Sequence, residues 1–387
     1  MNKLRVGVIY GGRSGEHEIS VASAASILKH LDRERYEPVP VRIEKDGRWT
    51  LPDRPPTALS AADVIESARA AAAKPLPGGR DAIMPAHPGT DTLLTIERNA
   101  EGSGGGTGAP AVVTGLGLDV VFPVLHGPFG EDGTVQGLLE LANVPYVGPG
   151  VMASAVGMDK ATMKILFEAR GLPVTPWHAF VAADWARRGD EVLARALALG
   201  LPLFVKPSNL GSSVGISKVK VTEALAPAIE HALSFDRKVI IEAGVPAPRE
   251  IECAVLGNDD PQASTAGEVI PSREFYDYEA KYLDEGSKTI VPADLPAAQR
   301  AEVQRLAIEA FKAIDACGMS RVDFLLSRAT GALVVNEINT IPGFTTISMF
   351  AKLWEASGVP YPALVDRLIR LAMERHAEKQ RLRTSAF

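Results

Sequence analysis

The chain has 387 residues, with 41 Lys and Arg against 47 Asp and Glu, giving a formal charge of −6. That length exceeds one ordinary hydrophobic core and predicts two or three domains. The acidic balance excludes a protein built to neutralise nucleic acid, which needs a basic excess. The two cysteines, Cys253 and Cys317, form neither a disulfide framework nor a zinc spacing, and buried reduced thiols are expected. The opening apolar run Val6–Tyr10 is too short for a signal-peptide core, and no run approaches membrane-spanning length. A cytoplasmic enzyme or binding protein without a membrane partner is the expected class.

In chain order, Leu4 to Tyr10 reads as a strand, Ile19 to Leu31 as a helix, Glu37 to Ile43 as a second strand and Leu118 to Val124 as another. The alternation predicts a doubly wound, mostly parallel sheet. Two stretches between these strands read as surface insertions: alanine-rich Ala58–Ala73, expected to be helical, and the flexible loop Glu101–Gly108. Gly11-Gly12-Arg13-Ser14-Gly15-Glu16-His17-Glu18 joins the first strand to the first helix, where a helix N-terminus suits an anion. Glu16 then faces the crevice at the carboxyl edge of the sheet, or merely complements the helix dipole. His126-Gly127-Pro128-Phe129-Gly130-Glu131-Asp132-Gly133 follows a strand at the same edge, where open α/β sheets bind ligands. His126 is thus a site candidate, with a hydrogen-bonded structural histidine as the alternative.

Pro145 to Gly150 marks a domain boundary. A helix over Asp159 to Ala169 stops at Gly171 and Pro173. Strands at Ala179–Val181, Leu203–Lys206, Ile216–Val221 and Val239–Glu242, with a helix around Asp190 to Leu199, make a small α+β unit. Glu250 to Leu256 opens a last domain that ends in a helix from Tyr361 to Lys379. The expected domains are 1–150, 151–247 and 248–387.

Three further segments carry chemistry. Lys206-Pro207-Ser208-Asn209-Leu210-Gly211-Ser212-Ser213-Val214-Gly215 is a small hydroxyl-rich loop whose amides could wrap an anion, with Lys206 adding a point charge; the alternative is a plain turn. Phe275-Tyr276-Asp277-Tyr278-Glu279-Ala280-Lys281-Tyr282 reads as a loop able to cover a site. Most informative is a hairpin of Met319–Leu326 and Ala332–Thr340, joined by Ser327–Gly331. Alternation places Arg321 with Asp323, and Glu337 with Asn339. Pairing symmetrically about Ala329 would bring all four to one face, a set of oxygens that suits Mg²⁺ completed by water and phosphate. A solvated charged face is the alternative.

Together these segments resemble the D-alanine–D-alanine ligase family of the ATP-grasp superfamily, in five motifs spread from Gly11 to about Met349. The resemblance implies a two-lobed ATP-grasp fold behind the N-terminal sheet and ATP-driven joining of two D-alanines through an acyl phosphate. It implies that Lys160, Lys206 and the Ser208–Gly215 loop, including Gly211 and Ser213, hold the phosphates. Glu242, the backbone near Val245, and Glu250 would hold adenine and ribose, with Phe275 and Leu325 sandwiching the ring. Asp323, Glu337 and Asn339 would hold two Mg²⁺, for which Mn²⁺ could substitute. Glu16 would receive the first D-alanine's ammonium beside His126, with Ser212 and Tyr282 linked to Glu16. Lys281 would meet the transferred phosphoryl group. Arg321 and the Gly343 amide would polarise the acyl carbonyl, and Ser348 and Met349 would take the second substrate's carboxylate. The family also implies a homodimer and a role in cell-wall precursor synthesis.

Other readings stay open at this stage. A D-lactate or D-serine acceptor would be distinguished at Ser348 and Tyr282. A nicotinamide-dependent oxidoreductase could use the N-terminal βαβ unit with Glu44 as ribose-binding acid, although Tyr10 replaces the first fingerprint glycine. A non-catalytic ATP-binding regulator would not need the intact set Arg321, Lys281 and Tyr282.

Overall fold

The computed structural model describes residues 3–57, 62, 64, 79–98, 111–271, 288–345 and 347–383. The expected helix over 58–73, apart from residues 62 and 64, lies outside the described residues, as do Glu101–Gly108 and the segment 272–287 that contains Phe275, Lys281 and Tyr282. The chain forms two compact units: residues 1–151 with 343–351 and 359–387, and residues 152–342 with 352–358.

The first unit is built on seven strands: β1 (Leu4–Gly11), β2 (Tyr36–Ile43), β3 (Trp49–Pro52), β4 (Gly79–Ile83), β5 (Leu93–Arg98), β6 (Ala111–Leu116) and β7 (Val120–Val124). Their order is β6-β5-β4-β3-β2-β1-β7. β1 pairs in parallel with both β2 and β7. β1 and β7 are nearly continuous apolar runs, as a strand covered on both faces requires. β2 through β6 continue antiparallel, so the stretch between β2 and β7, where the sequence reading placed no strand, contributes four. The helix His17–His30 carries Ser20, Ser23 and Ser26 on its buried side. The Ser20 hydroxyl accepts from the Gly11 amide at 2.7 Å and donates to the Val124 carbonyl, pinning the helix to two strand ends. The last helix, Tyr361–Gln380, belongs to this unit: Tyr36 donates to Asp366 at 2.6 Å, and Arg375 to the carbonyls of Gly148 (2.6 Å) and Tyr146 (3.0 Å).

The second unit holds two antiparallel sheets. One has the order β10-β9-β11-β8, from β8 (Trp177–Val181), β9 (Leu203–Pro207), β10 (Ser217–Val219) and β11 (Lys238–Ala243). The other has the order β14-β13-β12-β15-β16, from β12 (Pro248–Gly257), β13 (Gln262–Ile270), β14 (Lys288–Ile290), β15 (Gly318–Ser327) and β16 (Leu333–Asn339). The helix Ala297–Ala313 presents Val303, Leu306, Ala307, Ala310 and Phe311 at helical spacing. They pack on Ile251, Cys253, Val322, Phe324, Val335 and Ile338 from one face of the second sheet. The opposite face is thereby left for polar side chains. Both cysteines are free; Cys253 is buried, which pushes its thiol up to about 12, and Cys317 is half-buried.

The hairpin of β15 and β16 departs from symmetric pairing about Ala329. Near the turn, Leu326 lies opposite Leu333 and Phe324 opposite Val335. The register then shifts between Asp323 and Phe324, so that Asp323 faces Glu337 and Arg321 faces Asn339. Asn336 is the extra residue, and this bulge changes which side chains share a face. Without it, Val335 and Glu337 would point the same way. With it, Val335 enters the core while Glu337 joins Asp323. Val335 donates its amide to the Pro173 carbonyl at 2.8 Å, beyond the ladder.

Candidate active site

In the second unit the polar groups come from strands. Lys206 on β9 and Glu242 on β11 are diagonal neighbours, since Lys206 pairs with Ile240 and Glu242 with Phe204. The Lys206 ammonium donates to Glu242 Oε2 at 2.8 Å. Lys164, fully buried on the helix Lys160–Ala169, lies 3.4 Å from Glu242 Oε1 and donates to Thr175 Oγ1 at 3.2 Å. Burial alone would raise the Glu242 pKa, but Lys164 and then Lys206 reverse that and bring it down to about 2. Burial also opposes the Lys206 charge, yet Glu242 and then Glu337 outweigh it and raise that pKa. For Lys164, burial prevails over Glu242 and its pKa falls.

The loop 208–215 is anchored at its start. Asp236 accepts from the Asn209 amide (2.8 Å) and side chain (2.9 Å). Ser208 donates to Asp159 Oδ1 at 2.9 Å, while Asp159 caps the helix through the Thr162 amide at 3.1 Å. Lys160, at the first position of that helix, donates to the Leu210 carbonyl at 2.6 Å and lies 3.9 Å from Glu337 Oε2. Ser212 and Ser213 both have positive φ, 49° and 60°. Two consecutive non-glycine residues in that region cost about 1–3 kcal/mol each, strain of the kind that collects in ligand-binding loops. Gly211 and Val245 are half-buried, and Leu325 pairs with Glu250 across β12 and β15.

On the second sheet, Arg321 donates to both oxygens of Asp323, from Nε to Oδ1 and from a terminal nitrogen to Oδ2, each at 2.7 Å. Asn339 donates its amide to Asp323 Oδ2 at 2.9 Å. Burial opposes the Arg321 charge, but Asp323 and then Glu252 overcome it and raise the pKa further. Among the described residues no group of three or more His, Cys, Asp or Glu forms a ready metal cage. Two carboxylates and an amide oxygen on one face nevertheless fit Mg²⁺, which keeps waters and is shared with substrate phosphates instead of being enclosed by protein.

In the first unit the candidates sit on loops. Glu16 occupies the N-cap position of the helix His17–His30. The Ser14 hydroxyl accepts from the Glu16 amide at 3.2 Å and donates to the His126 carbonyl at 2.6 Å, tying the two motifs together. Gly127 has a φ of 72°, which favours glycine, and a Cβ there would lie 2.8 Å from a Glu16 carboxylate oxygen and displace it. His126 Nε2 meets Ser23 Oγ at 3.3 Å, and Ser23 accepts from the Phe344 amide at 3.2 Å. His126 Nδ1 lies 3.9 Å from Glu131, whose pKa burial raises against the pull of His126, with Glu16 adding to the rise. Ser348 Oγ accepts from the Thr345 amide at 2.9 Å, and a Cβ on Gly343 would come within 2.9 Å of that oxygen. Met349 is buried and starts the helix Met349–Ala356. Glu44 is taken up by its own hairpin, 3.4 Å from Arg42 and accepting from Thr50 at 3.3 Å, so no ribose-binding acid stands out after β2.

Sequence reasoning passed over Lys164, Ser23 and Glu252. Glu252 was within reach: alternation places it on the face of Glu250. The buried Lys164 carries no such pattern, because only tertiary packing shows that its helix face turns inward.

Two antiparallel sheets, one bearing the buried Lys206–Glu242 pair and the other a face with Arg321, Asp323 and Glu337, are the lobes of an ATP-grasp fold. Comparison with known proteins narrows this class. Residues 5–149 match the D-ala D-ala ligase N-terminus family and residues 166–370 the D-ala D-ala ligase C-terminus family. A D-alanine–D-alanine ligase of Thermoanaerobacter is 48% identical over 382 residues, 98% of this chain and 99% of the relative. The solved D-alanine-D-alanine ligase of Coxiella burnetii superposes with a TM-score of 0.79 at 37% identity, covering 98% of this chain and 97% of the other. The VanG D-Ala:D-Ser ligase of Enterococcus faecalis gives 0.78 at 31%, covering 96% and 100%. The chain belongs to the D-alanine–D-alanine ligase family.

Proposed function

We propose that this chain joins two D-alanine molecules at the expense of ATP, releasing ADP and phosphate and supplying the dipeptide for peptidoglycan precursors. The observation that carries the reading is the hairpin face: Arg321, Asp323, Glu337 and Asn339 brought together by a bulge on the sheet that neighbours Lys160. A carboxylate is a poor acyl donor because oxide would have to leave. Transfer of the γ-phosphoryl group to the first D-alanine makes an acyl phosphate, which the second amino group attacks. Lys160, Lys206 and the amides of Ser208–Gly215, with Gly211 and Ser213, bind the phosphates; Lys281 meets the group in transfer. Glu242, Val245, Glu250, Phe275 and Leu325 hold the nucleoside. Asp323, Glu337 and Asn339 hold two Mg²⁺, or Mn²⁺, whose charge offsets repulsion between carboxylate and phosphate.

Glu16 takes the first ammonium, with His126, Ser212 and Tyr282 shaping that subsite. Arg321 and the Gly343 amide stabilise the oxyanion of the tetrahedral species, and Ser348 and Met349 receive the second carboxylate. Functionally the chain divides into a substrate domain at 1–150, a central lobe at 151–247 and a C-terminal lobe at 248–387. It works as a cytoplasmic homodimer with neither nucleic acid nor membrane as partner; among the described residues no helix is long and apolar enough to cross a membrane.

ADP release measured with D-alanine and with L-alanine, with and without Mg²⁺, tests the reading. Release that needs both D-alanine and the metal is expected, and equal release with L-alanine would overturn it. The likeness to a D-Ala:D-Ser ligase motivates a second reading, in which D-serine is the acceptor. Product analysis with D-serine or D-lactate competing against D-alanine separates the two, with D-alanyl-D-alanine expected to dominate.

A further inference from the structure

One carboxylate on the polar sheet face has no part in the chemistry above. Glu252 lies on β12 directly opposite Asp323, with Ala254 opposite Arg321. Its Oε2 is 3.0 Å from Arg321 Nε, the same nitrogen whose single proton goes to Asp323 Oδ1 at 2.7 Å. The three side chains are all largely buried, with exposures of 11% for Glu252, 20% for Arg321 and 16% for Asp323. We propose that Glu252 is a positioning residue for Arg321, taking over the guanidinium when Asp323 turns to a divalent cation.

The argument rests on the assignments of Arg321 and Asp323 made above. Both Asp323 oxygens are engaged by Arg321 in this structure, so Asp323 serves two masters once a cation needs its lone pairs. A buried guanidinium that lost this partner would swing toward any other acceptor or toward water. Glu252 is already in place as the next acceptor for the Nε proton, on a neighbouring strand whose ladder fixes its distance. Arg321 therefore keeps its aim while Asp323 changes ligand.

Glu252→Gln retains the shape and removes the charge. We expect kcat to fall roughly 10- to 100-fold, as for partners that orient a primary group, with KM for ATP and the calorimetric dissociation constant for ADP within about twofold. Glu252→Asp should restore part of kcat. In an Arg321→Lys background, Glu252→Gln should add less than about twofold, because residues acting through one another are non-additive. Unchanged kcat in Glu252→Gln, or an equal loss in both backgrounds, overturns the proposal. So does a kcat loss matched by weaker ADP binding and a lower thermal midpoint, the mark of a structural role. Should Glu252→Gln fail to fold, the same cycle run with Glu252→Asp decides the matter. Normal turnover by Arg321→Lys would instead defeat the assignment of Arg321 itself, whereas a slow Arg321→Lys beside a normal Glu252→Gln defeats only the role of Glu252.

Discussion

The two units hold their candidate groups in contrasting ways. In the second unit, most of the charged side chains stand on paired strands, and each cation lies beside a carboxylate: Lys206 by Glu242 and Arg321 by Asp323 on the strands, and Lys160 from a helix start 3.9 Å from Glu337. In the first unit, Glu16, His126 and Ser348 sit on turns and helix starts, held by the hydroxyls of Ser14 and Ser23 and the backbone amide of Thr345. Strand ladders fix the spacing of like and unlike charges, which suits a highly charged ligand and its metals. Loops tied by neutral hydrogen bonds suit a small zwitterion, where a few ångströms of shape decide selection.

That contrast can be broken most sharply at Arg321. Arg321→Ala should lower kcat by about 10³-fold, the scale of a lost oxyanion donor, while ADP affinity stays close to that of the parent; retained dipeptide synthesis in a phosphate-release assay would refute it. Glu337→Gln should come next, raising the Mg²⁺ concentration for half-maximal rate by roughly 10- to 100-fold, and an unchanged metal titration would count against the strand-borne metal site. In the first unit, Gly127→Ala forces a methyl group toward the Glu16 carboxylate at a positive φ. A strain of about 1–2 kcal/mol, or roughly tenfold, should appear in KM for D-alanine and not in that for ATP. Ser23→Ala removes the tie between His126 and Phe344 and should cost about 1 kcal/mol of stability in denaturant unfolding, with a smaller rise in KM for D-alanine.

A pH experiment sharpens the same division. The Glu242 pKa falls from 4.5 to about 2 on folding. A lowered carboxylate pKa stabilises the fold fully above the unfolded value, and that contribution is lost as pH drops from about 4.5 towards 2. Glu242→Gln should therefore flatten the acid side of the stability profile in that window, whereas Ser23→Ala should shift the profile without changing its shape.

Much of this arrangement is written in the sequence. The parallel strands β1 and β7 are unbroken apolar runs, Asp159 announces the helix it caps, and the hairpin's acidic and amide residues stand at alternate positions. The four strands from Trp49 to Leu116 escape the sequence reading because they are only four to six residues long and lack a clean apolar–polar alternation, with Ile83, Val112 and Val113 exposed. The hairpin register was misjudged for a different reason. Val335 and Glu337 are two apart, so strict alternation puts an aliphatic and a carboxylate on one face. That conflict is itself the signature of the bulge at Asn336, and the three-residue interval between buried Val335 and Ile338 repeats it. Lys164 shows the opposite limit: a lysine on a helix reads as solvated until its neighbours in space are known.

The mutual pairing of charges in the second unit has a kinetic corollary. Lys160, Lys164, Lys206 and Arg321 are surrounded by Glu242, Glu250, Glu252, Asp323 and Glu337, so among the described residues these charges largely offset one another. Capture of a metal–nucleotide complex should then proceed without long-range attraction, and its bimolecular rate should barely change as ionic strength is raised.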